Sequence, residues 1–215
     1  MADTFNRVYG EPDMPFYYGL NPSEKLEQFL NDTHPPTAEA LDLGCGEGRN
    51  SLLLARYGYH VHAVDASSQG IQKLENYARS QGLDNINCEV ADVRTVQLKP
   101  DHYDIIVAVT ILDHISEKEG KKVAEAMINA LKPGGFAYIE SFTVHDPAAS
   151  AASRENETIS ETASFVHHYF DEGELATWFS PLETVLYEEI MKYDDSHGKP
   201  HYHGIARLIT RKSTD

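Results

Sequence analysis

Two hydrophobic periods alternate along this chain. Segments 40–43, 60–65, 85–90, 103–109 and 136–142 read as strands. Between them, apolar residues recur at three- and four-residue spacing, as one face of a helix does. Leu26, Phe29 and Leu30 mark the first helix, opened by Asn21 as cap, Pro22 at the first helical position and Glu24 reaching back. The next runs over about 49–56 and ends near Gly58. Ile71, Leu74 and Ala78 mark another, capped by Ser67 and stopped by Gly82. Val123, Met127 and Leu131 follow the capping box of Ser116 and Glu119. Leu175, Trp178 and Phe179 form the buried face of a last helix, which Asp171 caps with Glu174 three residues on. Segments 182–191 and 202–210 read as a closing hairpin. Strand and helix in alternation predict an α/β domain with a doubly wound, mostly parallel seven-stranded sheet. Its C-terminal hairpin is antiparallel, and helices lie on both faces.

The first strand runs directly into Gly44-Cys-Gly-Glu-Gly48 and then a helix. A strand that turns through glycines into a helix lets a ligand lie against bare backbone, as in Rossmann-like folds. Asp42 sits two residues before the first glycine. Asp65 closes the second strand, seventeen residues after Gly48, placed to bond the two hydroxyls of a ribose. A dinucleotide fingerprint needs Gly-x-Gly-x-x-Gly, and Arg49 stands at its third glycine. That disfavours a nicotinamide oxidoreductase.

The balance of 18 basic to 34 acidic residues, net charge -16, repels phosphate backbones and anionic lipid. The expected partner is a small-molecule acceptor, not nucleic acid or membrane. Cys45 and Cys88 are too few for a disulfide framework, and Cys45 reads as a small packed residue. No basic-then-apolar leader is recognised, and the longest apolar run, 105–112, is far short of a membrane span. The expected setting is soluble, reducing and cytoplasmic. Oligomeric state is not legible. No linker or repeat divides 1–215, which reads as one domain. Residues 1–35 form an aromatic-rich arm and a helix, and the aperiodic 143–168 forms a lid.

Leu41-Asp-Leu-Gly-Cys-Gly-Glu-Gly48, with Asp65, Asp92 and Lys132-Pro-Gly-Gly135, resembles the class I S-adenosylmethionine-dependent methyltransferases. More narrowly, residues 41–52, Phe170-Asp-Glu-Gly-Glu-Leu175 and Ala206–Lys212 are similar to the tellurite-resistance methyltransferases. The resemblance implies S-adenosylmethionine as cofactor, held by Asp42, Gly44, Cys45, Gly46, Asn50 and Asp65. Tyr18, Ala66, Asp92, Val93 and Thr110 complete that set, Asp92 facing the adenine amino group. It also implies Arg49 as a cofactor or acceptor contact, and a small, soft acceptor such as a thiol or chalcogen oxyanion. A non-catalytic S-adenosylmethionine-binding protein is the alternative from another class.

Ligands lie outside the carboxyl ends of such strands, so the loop after strand four, 110–114, stands over the reacting centre. Asp113 and His114 are the candidate bases for an acceptor that must lose a proton. His145, His167 and His168 border the lid. His197, His201 and His203 have metal-ligand spacing, with Asp194 and Asp195 near. The simpler reading is an exposed turn followed by strand histidines, with no metal.

Overall fold

Strand β4 (Tyr103–Val109) is apolar except for the half-buried Asp104 and lies at the middle of the sheet, buried on both faces. The computed structural model describes residues 2–10, 16–33, 38–150 and 165–214. Their sheet has seven strands. Besides β4 these are β1 (Glu39–Leu43), β2 (His60–Asp65), β3 (Ile86–Val90), β5 (Leu131–Phe142), β6 (Glu183–Asp194) and β7 (His201–Arg211). The order is β3-β2-β1-β4-β5-β7-β6. The first five run parallel to their neighbours, and β7 lies antiparallel between β5 and β6. The expected fold class is the one observed.

The helices are α1 (Ala2–Tyr9), α2 (Glu24–Thr33), α3 (Arg49–Arg56), α4 (Ser68–Ser80), α5 (Glu117–Ala130) and α6 (Glu174–Trp178). Strand pleating divides the core in two. Ile106 and Ala108 of β4 join Val123 and Met127 of α5 and Leu175 of α6. Ile105, Val107 and Val109 face the other way and join Leu26 of α2, Leu52 of α3 and Leu74 of α4. The chain order reverses between β1 and β4, so a cleft opens outside their carboxyl ends.

Four local expectations change. The arm contains a helix, α1, with Phe5, Val8 and Tyr9 at helical spacing on one face. Asn6 fixes it: its side-chain oxygen accepts from the Ser67 hydroxyl at 2.8 Å and from the Gln69 N–H at 3.2 Å. Helix α2 begins at Glu24, not at Pro22. Ser23 takes the entry position, and its N–H and hydroxyl are held by Asn50 and Glu140. Of the lid, 151–164 lie outside the described residues, while Pro147–Ala149 form a short 3-10 turn capped by Asp146. The histidines of the 197–203 segment are buried instead of exposed, though the residues between them are not: His197, His201 and His203 keep 4%, 3% and 7% of their surface.

Candidate active site

The cleft holds about 1270 Å³, counting the space that opens to solvent. One end is made by the glycine turn. Gly44, Gly46 and Gly48 have φ of 76°, 55° and 89°, a region that side-chain-bearing residues rarely adopt. A Cβ on Gly44 would stand 2.6 Å from Ile111, and one on Gly48 would stand 2.2 Å from Leu74. The turn is therefore shaped by backbone freedom and by close packing at once. Asp65 locks it from the side. Its carboxylate accepts the Gly46 N–H at 2.8 Å and the Ser67 N–H at 2.7 Å. Burial pushes the Asp65 carboxyl up, against those two N–H groups. A narrow backbone cradle with a carboxylate at the tip of β2 fits a ribose-bearing cofactor.

Each residue expected to hold the cofactor lines this cleft: Tyr18, Asp42, Gly44, Cys45, Gly46 and Asn50 on one side, and Asp65, Ala66, Asp92, Val93 and Thr110 on the other. Several have structural duties too. Asp42 accepts the Ser51 hydroxyl at 2.5 Å, and burial lifts its carboxyl to about 6. Asn50 accepts the Ser23 N–H at 3.0 Å and so anchors the entry to α2. Asp92 is gripped by Arg94, which pulls its carboxyl down. Cys45 is buried, its thiol pushed well up by that burial, which suits a packed residue and not a nucleophile. Thr110 has φ of 49° at the end of β4, a strained conformation of the kind that gathers at sites.

The other end is made by side chains. Arg49, next to Gly48 and the first residue of α3, lies between the two ends, its charge acting on both Asp42 and His197; it lines the cleft and forms no ion pair among the described residues. His114 is 5% exposed and also lines it. Its Nδ1 lies 3.0 Å from the Phe165 carbonyl, an oxygen that can only accept. The Nδ1 therefore carries the proton, and Nε2 has the free lone pair. Asp113, the other candidate base, does not reach the cleft. It is fully buried, its Oδ2 accepts the Phe142 N–H at 3.0 Å, and its carbonyl receives the N–H groups of His167 and His168. It thereby ties β5 to the 167–168 segment. His168 likewise faces away, bonded to Glu174 at 3.1 Å and stacked on Trp178.

Sequence reasoning missed Glu140, Phe142 and Lys192, which complete this end. Glu140 was signalled only as a charge inside an apolar strand. It is 2% exposed and receives the Ser23 hydroxyl at 2.8 Å, the Arg207 guanidinium at 2.8 Å and the Tyr138 hydroxyl. Burial alone would raise its carboxyl, but Lys192 and Arg207 outweigh that and hold it at about 2. Phe5 and Tyr9 of α1 and Tyr18 close the top, and the Tyr18 ring lies 4.7 Å from that of His197.

Comparison with known proteins places this arrangement. The profile of the family described as tellurite resistance protein TehB matches residues 32–201. Hemagglutinin 1 of Eikenella corrodens is 27% identical over 211 residues, 88% of this chain and 64% of its own length. A ubiquinone biosynthesis O-methyltransferase of Xanthomonas campestris is 28% identical over 181 residues, 81% of this chain and 73% of its own. The crystal structure of TehB from Haemophilus influenzae shares the fold, with TM-score 0.73 and 22% identity over 99% of this chain and 67% of that one. This chain therefore spans just under two thirds of hemagglutinin 1. No helix among the described residues is long and apolar enough to cross a membrane. On the family match and the glycine cradle together, this chain belongs to the TehB family of class I S-adenosylmethionine-dependent methyltransferases, with S-adenosylmethionine as its cofactor.

Proposed function

We propose that this chain transfers the methyl group of S-adenosylmethionine to a small, anionic or soft acceptor: a thiolate, a reduced chalcogen or a chalcogen oxyanion. The cofactor supplies a methyl group on a positively charged sulfur. The chain's part is to hold the acceptor in line with that carbon, and such positioning accounts for much of the rate. The observation that carries the reading is Arg49, a cleft-lining guanidinium with no ion-pair partner among the described residues, in the same cleft as His114. Arg49 favours an acceptor with negative charge and donors can reach its oxygens in a fork. His114 Nε2 takes the proton of an acceptor that arrives neutral. A thiolate or reduced chalcogen needs no such help.

The test is to incubate the chain with S-adenosylmethionine and, in turn, a small thiol, selenite, tellurite and a simple phenol, measuring S-adenosylhomocysteine. Turnover with the thiol or an oxyanion above the phenol supports the reading. Preference for the phenol would move the assignment to oxygen acceptors. Tight binding of both cofactor forms with turnover on none would favour a non-catalytic binding protein.

A further inference from the structure

At the acceptor end, His197, His201 and His203 converge from the β6–β7 turn and from β7, with ligand nitrogens within 4.8 Å of one another. All three are buried. The hydrogen bonds around two of them fix where their protons are. His201 Nδ1 lies 2.7 Å from the Lys199 carbonyl, which can only accept. His203 Nδ1 lies 2.8 Å from Asp146 Oδ2, which also accepts the Gly204 N–H at 3.2 Å. Both Nδ1 atoms are therefore donors, and in the neutral rings both Nε2 atoms carry lone pairs. Yet those two Nε2 atoms face each other at 2.9 Å. Two lone pairs at that distance repel unless a cation, either a shared proton or a metal ion, lies between them.

We propose that His197, His201 and His203 bind a divalent transition-metal ion whose open position faces the cleft and takes an anionic oxygen or sulfur of the methyl acceptor. Three neutral imidazoles with one open position make a ligand set suited to zinc and its neighbours. The outer contacts are those of ligating histidines. A carboxylate, Asp146, orients His203, and a main-chain carbonyl orients His201. Nitrogens about 2.1 Å from a tetrahedral ion lie about 3.4 Å apart, so the pair opens by about half an ångström on binding. His197 and His203 line the cleft, beside Asp194 and Lys192. His203 also packs against Phe142, with ring centroids 4.6 Å apart, so the ring is held before any ion arrives.

The acceptor's part rests on the methyl-transfer reading. A thiol that binds the ion loses its proton to solvent. Its sulfur lone pair forms the new bond to the methyl carbon, and the old sulfonium–methyl bond breaks with its electron pair returning to the cofactor's sulfur. No oxidant or reductant is needed.

The test uses the untagged full chain after treatment with a chelator. Cobalt(II) is added while the visible spectrum is read, and zinc(II) is titrated by calorimetry, with and without S-adenosylhomocysteine. One equivalent should bind and give the absorption of low-coordinate cobalt. His201→Ala and His203→Ala should each weaken zinc at least 100-fold, and Asp146→Asn about 10- to 100-fold as an outer-contact change. S-adenosylhomocysteine binding serves as the folding control. If His203→Ala loses it, Asp146→Asn decides the matter. No saturable site, or affinities unmoved by these changes, would overturn the proposal and leave a proton shared between His201 and His203. A metal site on a chain that methylates nothing would sink the methyl-transfer reading and keep the site. Undiminished methylation by the stripped chain would remove the ion from acceptor binding.

Discussion

At the glycine turn the cleft is shaped by main chain, while at the opposite end it is shaped by side chains brought from far apart. Gly44, Gly46 and Gly48 and their lock, Asp65, fall within one βαβ unit. By contrast, the His203–Asp146 contact joins residues 57 apart in sequence, and the Ser23–Glu140 contact joins residues 117 apart. The first end depends on conformations that only glycine adopts easily, so it tolerates almost no substitution. The second depends on which side chains the sheet brings together, so one fold can accept different substrates without changing its cofactor.

The largest effect should come from the main-chain end. Gly48→Val places a branched side chain at φ 89° and into Leu74. It should abolish measurable S-adenosylhomocysteine binding and cost about 3–5 kcal/mol of stability by overpacking and backbone strain, read by calorimetry and urea unfolding. Binding within tenfold of the parent would break the comparison.

A pH experiment sharpens the same end. Burial holds the Asp42 carboxyl at about 6, above its unfolded value of 3.8. A raised carboxyl favours the folded state below the unfolded value, and that contribution is lost as pH rises through about 6. Two units correspond to about 3 kcal/mol. Asp42→Asn should therefore gain stability relative to the parent between pH 4 and pH 7, with Ser51 still able to donate to the amide oxygen. A difference independent of pH would show that Asp42 titrates normally.

At the side-chain end, His114→Ala should leave S-adenosylhomocysteine binding intact and lower turnover about 100-fold with a neutral acceptor, the usual scale of general-base loss. With a thiolate the loss should be slight. Equal loss of binding and turnover would mean His114 only supports the wall. Arg49→Ala should raise KM for an anionic acceptor about tenfold, the scale of one charge-assisted contact, with kcat little changed. The smallest effect is expected at Asn6→Ala, which removes the clamp of α1 on the start of α4. A loss of about 1 kcal/mol, the scale of a helix cap, should appear as cofactor binding weaker by about three- to fivefold.

This contrast also explains what could be read from the chain itself. The sheet, the capped helices α4 and α5 and the cofactor cradle rest on local signals: apolar period, Ser67, the Ser116–Glu119 box and three spaced glycines. What was misread depends on distant partners. Helix α1 is held by Ser67 and Gln69 through Asn6, and its eight residues are too few to be a stable helix without that contact. The histidines sit among Asp194, Asp195, Ser196 and Lys199, a composition that suggests an exposed turn. They are buried because Tyr17 and Tyr18 from the N-terminal stretch and Phe142 from β5 pack on them. Asp113 looked like a base because it stands over the switch point, but its side chain turns inward to Phe142.

The place of β7 inside the sheet carries a consequence for how the protein is made. β7 is the last strand in the chain, yet it pairs on both sides, with β5 and with β6. It also brings His203 to the cleft wall and Arg207 to Glu140. During synthesis the glycine turn can form as soon as β1 to β4 have emerged, because its contacts are short in sequence. The acceptor end has no such early form. It must wait until β7 has emerged, and β5 keeps an open edge until then. Cofactor present in that interval stabilises only the half already built, so it could act as a template on which the C-terminal strands close.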